Sequence, residues 1–250
     1  MKKILYTLTC GAVLASTVMA DFTRVEMGAG AWMQTPKGNA TYTDGGANGL
    51  YTSSTNKETS PYVWMLIKHP VPVLPNIRLE YVSLEDKGVA SGEFKDFDIG
   101  AASTTLSYDM KQYDIIPYYN ILDNTAWITL DLGLDIKIID ASYTAAPTTG
   151  FAGYRDSVTL PIPLLYARAR VQIPSTDLGF EADIKYITTG DSTVYDVRAK
   201  VDYTLNFIPV IQPALEIGYR VQKIDIDEND IDAKLNIDFS GVYAGLIVRF

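Results

Sequence analysis

Charged residues recur at every second position in several stretches of this chain. Arg168 and Arg170 are two apart. So are Glu181, Asp183 and Lys185, and likewise Asp196, Arg198, Lys200 and Asp202; Asp131/Asp135 and Glu216/Arg220 are four apart. Three kinds of chemistry suit such spacing. Paired carboxylates such as Asp131/Asp135 suit acid–base work when their environments hold their proton affinities apart. Neighbouring guanidiniums such as Arg168/Arg170 suit a cationic rung that selects anions. Interleaved signs suit an interior closed by salt bridges. Catalysis has little else to draw on, because the chain has a single His and a single Cys. The His is His69, among Pro70, Pro72 and Pro75, where a turn brace is expected. The carboxylates oppose cations, so ion pairing accounts for them better than proton transfer does. No catalytic residue, cofactor or metal site is expected. Asp225, Asp227, Asn229 and Asp230 approach a calcium loop, but Asp230 stands where glycine is needed and Asn236 where the bidentate glutamate belongs.

The elements that must carry these charges read as strands, because apolar residues fill the intervening positions. Tyr195, Val197, Ala199, Val201, Tyr203, Leu205 and Phe207 oppose Asp196, Arg198, Lys200 and Asp202. Ile128, Leu130, Leu132, Leu134, Ile136 and Ile138 oppose Asp131, Asp135 and Lys137. Period two with one apolar face is a strand between two environments. The same pattern marks 24–33, 77–84, 158–173, 178–188, 214–226 and 235–250. Residues 61–68 form an apolar run of ambiguous facing. In 106–121 the apolar parity changes, which predicts a β-bulge near Lys111–Asp114. About ten strands result. Short turns are expected at His69–Asn76, Leu122–Ala126, Pro174–Asp177 and Ile208–Pro213. Longer loops are expected at Gln34–Ser60, Glu85–Thr104, Ala141–Asp156 and Asp227–Lys234.

Composition narrows the class. The chain has 250 residues and a formal charge of −9, which argues against a nucleic-acid partner. Tyr is common at 17 residues, as suits a membrane–water interface or any β-rich fold. Lys2 and Lys3, the apolar Ile4–Val18 and the Val18-Met19-Ala20 site read as a signal peptide over 1–20, which leaves 21–250 as the barrel and removes Cys10. No later stretch approaches the roughly 18 apolar residues of a spanning helix. A membrane reading must then rest on a closed barrel.

The chain's end adds to this. Tyr243, Gly245, Val248 and Phe250 resemble the assembly signal on the last strand of bacterial outer-membrane β-barrels, with Tyr243 the loosest match. Tyr118–Asn124 (YYNILDN) and Trp127–Lys137 (WITLDLGLDIK) resemble a family of small Gram-negative outer-membrane barrel proteins of uncharacterised function, with Asn120 in place of the family's acidic residue. The resemblance implies an all-β transmembrane antiparallel up-and-down barrel with both termini periplasmic. It implies contact with outer-membrane lipid and lipopolysaccharide and insertion by the barrel-assembly machinery. It supplies no catalytic residue, and an omptin-type protease would need His and Asp at the extracellular rim. On this reading Arg168, Arg170, Arg198, Lys200, Asp131, Asp135, Glu181, Asp183, Glu216 and Arg220 face the lumen. About ten inward cations meet about nine inward anions, and glycines such as Gly28, Gly133, Gly179 and Gly218 either make room for them or leave a gap. The expected function is structural, or a narrow passive channel for small solutes. The alternative is surface recognition, in which the long loops bind a host molecule, phage or lipopolysaccharide.

Overall fold

The computed structural model describes residues 23–44, 46–71, 73–206, 211–227 and 233–250. The expected signal peptide, Phe207, most of the turn before Pro213, and Asn229 and Asp230 of the acidic loop lie outside the described residues. The strands are β1 (Arg24–Asp44), β2 (Ala47–Ser53), β3 (Glu58–Lys68), β4 (Asn76–Glu93), β5 (Asp98–Thr125), β6 (Ile128–Ala145), β7 (Tyr154–Gln172), β8 (Leu178–Thr189), β9 (Ser192–Thr204), β10 (Gln212–Ile226) and β11 (Lys234–Arg249). Each pairs antiparallel with its neighbours. β2 and β3 both pair with β1 and both with β4, one above the other, so together they make one stave. β1 and β11 close the ring from Glu26↔Arg249 to Thr41↔Lys234. The result is a closed barrel of ten staves, the arrangement that pairs the backbone groups of spanning strands in lipid.

The outer surface carries an apolar belt. Its limits are Val25–Met33 on β1, Ile128–Ile138 on β6, Tyr195 on β9 to Leu205 just beyond it, and Val242 on β11 to Phe250 just beyond it, roughly the 9–11 residues that a tilted strand needs to cross a bilayer. The belt ends at a ring of polar pairs. Above it, Ser83 pairs with Lys111, Lys111 with Asp140, and Asp140 with Thr159; Thr35 pairs with Ser240 and Thr188 with Thr193. Just below this polar ring sit Tyr81 opposite Tyr113 and Tyr186 opposite Tyr195. The lower border is marked by exposed Tyr119, Trp127, Phe180, Tyr203 and Phe250. These are aromatic girdles at two interfaces.

Three of the expected long loops are strands instead. β1 runs through Gln34 to Asp44, and β2 and β3 fill most of 47–60; β4 and β5 leave only 94–97 between them; β6 and β7 leave 146–153. The barrel wall therefore continues past the polar ring. There the two faces exchange character: Glu85, Lys87, Lys37 and Asp140 point outward, while Leu84, Leu106, Tyr108, Ile139, Ile224 and Ile237 are buried inside. Polar and Gly-rich composition masks this, because the period survives while its parity inverts. The same inversion explains the apparent fault in 106–121. β5 pairs with β4 without interruption from Asn76↔Tyr118 to Ser91↔Ser103, so no bulge lies at Lys111–Asp114. Leu106, Tyr108 and Met110 face the apolar upper interior, whereas Tyr113, Ile115 and Tyr119 face lipid from the opposite parity. The register shifts of this strand lie elsewhere, above at Ser91/Glu93 against β4 and below at Asn120/Leu122 and Leu122/Thr125 against β6.

Candidate functional site

Within the apolar belt the interior is a stack of ion pairs. At the bottom, Arg249 reaches Glu26 (3.0 Å) and Asp202 (2.7 Å). Arg170 joins Asp202 (2.5 Å) to Glu181 (3.4 Å), and Arg168 joins Glu181 (2.8 Å) to Asp131 (2.5 Å). In the middle, Glu80 accepts from Arg78 (2.5 Å), Lys185 (2.7 Å) and Arg198 (2.6 Å), and Asp183 also holds Arg198 (2.7 Å). Higher up, Lys137 reaches Asp114 (2.6 Å) and Arg220 reaches Asp196 (2.6 Å). All ten expected lumen residues point inward and are buried. Nine of them share ion pairs. Asp135 has no hydrogen-bond partner on either carboxylate oxygen. Asp114, hidden from sequence reasoning by the supposed bulge, is a further buried inward carboxylate and pairs with Lys137 and Lys185.

Aromatic side chains complete the packing. Residues 61–68 resolve with Tyr62, Trp64 and Leu66 inside and Val63, Met65 and Ile67 outside. The Trp64 ring lies 4.8 Å from the Arg78 guanidinium and 4.6 Å from the Lys200 ammonium, a cation–π arrangement. Glu216 accepts from Trp64 Nε1 (3.2 Å), Tyr62 Oη (2.8 Å) and Lys200 Nζ (2.9 Å). The inward glycines make room: a Cβ at Gly28 would overlap the Trp64 indole, and one at Gly218 would come 2.6 Å from the Tyr243 ring. Tyr243 and Gly245 of the assembly motif face inward, while Val248 and Phe250 face outward. The space left among Trp32, Tyr62, Trp64, Arg198 and Glu216 is about 10 Å³. That is about the smallest volume that holds one water. The Arg168/Arg170 rung is clamped by Asp131, Glu181 and Asp202, and Arg170 also borders the polar space below.

The plug separates two chambers. Below, a polar vestibule of about 320 Å³ is lined by residues including Arg24, Asp123, Arg170, Asp177 and Arg249. Above, a chamber of about 570 Å³ is lined by Tyr51, Phe97, Leu106, Tyr108, Met110 and Tyr143 among others, with Lys95, Asp96 and Asp156 also in its wall. Its walls join residues from the three segments expected to be loops, such as Tyr51, Phe97 and Tyr143, to residues of expected strands, such as Leu106, Tyr108, Met110 and Ile237. Phe97 stacks on Phe94 (4.8 Å) and on Tyr154 (4.7 Å), linking the β4–β5 and β6–β7 connections. Asp86 anchors the wall by accepting from Tyr51 Oη (2.8 Å) and Ser54 Oγ (3.1 Å). Burial pushes the Tyr51 and Tyr108 phenols up, and burial followed by the Asp156 charge takes Tyr143 up to about 12. All three remain neutral hydrogen-bonding groups. The Tyr108 hydroxyl is buried with no hydrogen-bond partner.

His69 sits in the lower turn, where its Nε2 donates to the Pro75 carbonyl (3.0 Å) and its Nδ1 accepts from the Val71 amide (3.2 Å). Among the described residues no group of three or more His, Cys, Asp or Glu side chains converges to hold a metal ion.

No family model and no curated protein matches the chain. Solved structures do. The outer membrane protease OmpT from Escherichia coli superposes with a TM-score of 0.55 at 11% identity, over 92% of this chain and 97% of that one. The translocator domain of the autotransporter NalP from Neisseria meningitidis gives a TM-score of 0.48 at 12% identity, over 100% and 96% of the two chains. At such identity the likeness to OmpT is one of fold, and together with the closed ring and the lipid-facing belt it establishes the outer-membrane β-barrel architecture for this chain.

Proposed function

We propose that the protein is a surface binding protein of the Gram-negative outer membrane, closed at membrane level, whose upper chamber takes a small apolar ligand. The observation that carries this reading is the pairing of a space of about 570 Å³ under aromatic walls with a plug that leaves about 10 Å³. A volume of that size and lining suits a ligand of a few hundred daltons. The unpartnered Tyr108 hydroxyl supplies one polar contact for it. This favours recognition over passive conduction, and it uses the segments 34–60, 85–104 and 141–156 as chamber walls. In this proposal the chain is not an enzyme, its termini are periplasmic, and the upper chamber faces the cell exterior. Tyr243, Gly245, Val248 and Phe250 engage the barrel-assembly machinery, the outer belt and rim meet lipid and lipopolysaccharide, and the family resemblance of residues 118–137 reflects common descent.

The test is a titration of detergent-solubilised, refolded protein with N-phenyl-1-naphthylamine, beside Met110→Trp. Met110 is buried and lines the chamber, so the larger side chain fills it. The expected result is a saturable fluorescence gain above the micelle background in wild type, approaching one probe per chain, and lost in a variant that still migrates as a folded barrel. Identical titrations of wild type and folded variant would sink the chamber. Steady conductance of the wild type in planar bilayers would sink the closed plug.

A further inference from the structure

The wall of the barrel is not paired everywhere. The ladder between β7 and β8 stops at Leu165↔Tyr186. β6 stays paired with β7 far above that point, through Pro163 and Pro161 to Ala145↔Tyr154. Proline has no amide hydrogen and is confined to strand edges. With β6 bonded across both prolines, the missing donors fall on the β8 side. β8 meanwhile turns back into β9 at Thr189↔Ser192, well short of the neighbouring staves, and β10 keeps β9 only as far as Asp225↔Thr193. Among the described residues a notch therefore opens between β7 and β10 over the short β8–β9 hairpin.

The notch holds a cavity of about 310 Å³. It is lined by outward-facing Pro161 and Pro163, and also by Leu160, Ile162, Ile187, Val194 and Ile226, whose side chains belong to the inner face. It thus crosses the wall. Ile162, Val194 and Ile226 belong to the same continuous buried apolar cluster as Leu106, Tyr108 and Met110 of the chamber. Its level decides what it meets. Leu165 and Tyr186, at the last paired position, are exposed on the lipid-facing belt, and Thr159 and Thr188 are in the polar ring just above. The opening lies at the boundary between the acyl region and the headgroups of the upper leaflet.

We infer that this seam between β7 and β8 admits an acyl chain laterally from the bilayer, so that the apolar occupant of the barrel is a membrane amphiphile. This rests on the chamber reading and names the source of its ligand. The alternative source, solution above the rim, would need no opening at this level and no proline-broken ladder beside the lipid belt.

The test uses the mature wild-type chain refolded in phosphatidylcholine vesicles doped with a phosphatidylcholine carrying a diazirine on its acyl chain. After illumination, adducts are mapped by mass spectrometry. The expected pattern is labelling of outward residues all round and, in addition, of inward-facing Ile162, Ile187 and Val194. Inward Ile139 and Phe239, on strands paired on both sides at a similar level, should stay unlabelled. Adducts confined to outward residues would overturn the seam. A Pro163→Cys/Thr188→Cys pair then tests the route, since oxidation should remove the inward adducts and reduction restore them. Inward adducts that persist in the oxidised form would also overturn it. The two proposals fail separately. Naphthylamine binding with outward adducts alone leaves the chamber and removes the seam, whereas inward adducts without naphthylamine binding remove the chamber.

Discussion

Glu181→Gln probes the ion-pair plug at its most connected point. The Glu181 carboxylate lies 2.8 Å from Arg168, 3.3 Å from Lys200, 3.4 Å from Arg170 and 3.5 Å from Arg78. The substitution keeps the shape and removes one negative charge from a site that water barely reaches. Breaking a buried pair costs about 3–5 kcal/mol, because the partner is left buried with its charge uncompensated. Each of the four cations keeps another carboxylate: Arg168 has Asp131, Arg170 has Asp202, Lys200 has Glu216 and Arg78 has Glu80. The lower end, about 3 kcal/mol, is therefore expected, roughly a hundredfold in the folding equilibrium. The assay is equilibrium urea unfolding in phospholipid vesicles, followed by heat-modifiable migration on gels. The double variant Arg168→Gln/Glu181→Gln should lose less than the sum of its single variants, since neither partner is then left alone. A Glu181→Gln loss below about 1 kcal/mol, the range of an exposed pair, would refute the view that these charges work as a desolvated network.

Two further outcomes separate the parts of the interior. Asp135→Ala should lie between a loss of about 1 kcal/mol and a small gain, because it removes a buried carboxylate that has no hydrogen bond, whereas Asp131→Ala should cost about 3 kcal/mol by stripping Arg168 of a partner; equal losses in urea unfolding would contradict the assignment. Gly28→Leu should cost about 1–3 kcal/mol or prevent refolding, since even its Cβ overlaps Trp64, while Ala29→Leu on the lipid side should refold as wild type; the folded fraction on gels reads both.

Within the membrane belt, alternation made the chain legible. Lipid outside and ion pairs inside impose opposite demands on successive residues, so Val197/Arg198 or Leu134/Asp135 assign their own faces from local composition. The same rule misled above the belt. At Lys111–Asp114 the parity of the apolar residues reverses, and the local sequence reads alike for a bulge and for an unbroken strand that leaves the bilayer. Only pairing with β4 distinguishes them, and with it Asp114 takes its place beside Lys137 and Lys185. The segments around Tyr42, Tyr51 and Tyr143 looked like loops for the same reason, and the chamber they wall was invisible.

Sequence alone determined the barrel class, a count of about ten strands, the lipid-facing face of the belt strands other than β3 and β5, and the charges of the belt interior except Asp114, because those properties repeat every two residues along one strand. Tertiary structure alone decided which charge meets which, whether the glycines leave a gap, that the centre is filled, and that β7 and β8 part at Leu165↔Tyr186. Those depend on stagger between strands distant in the chain and on the volumes of side chains converging from opposite walls. Periodicity along a single strand carries no record of either.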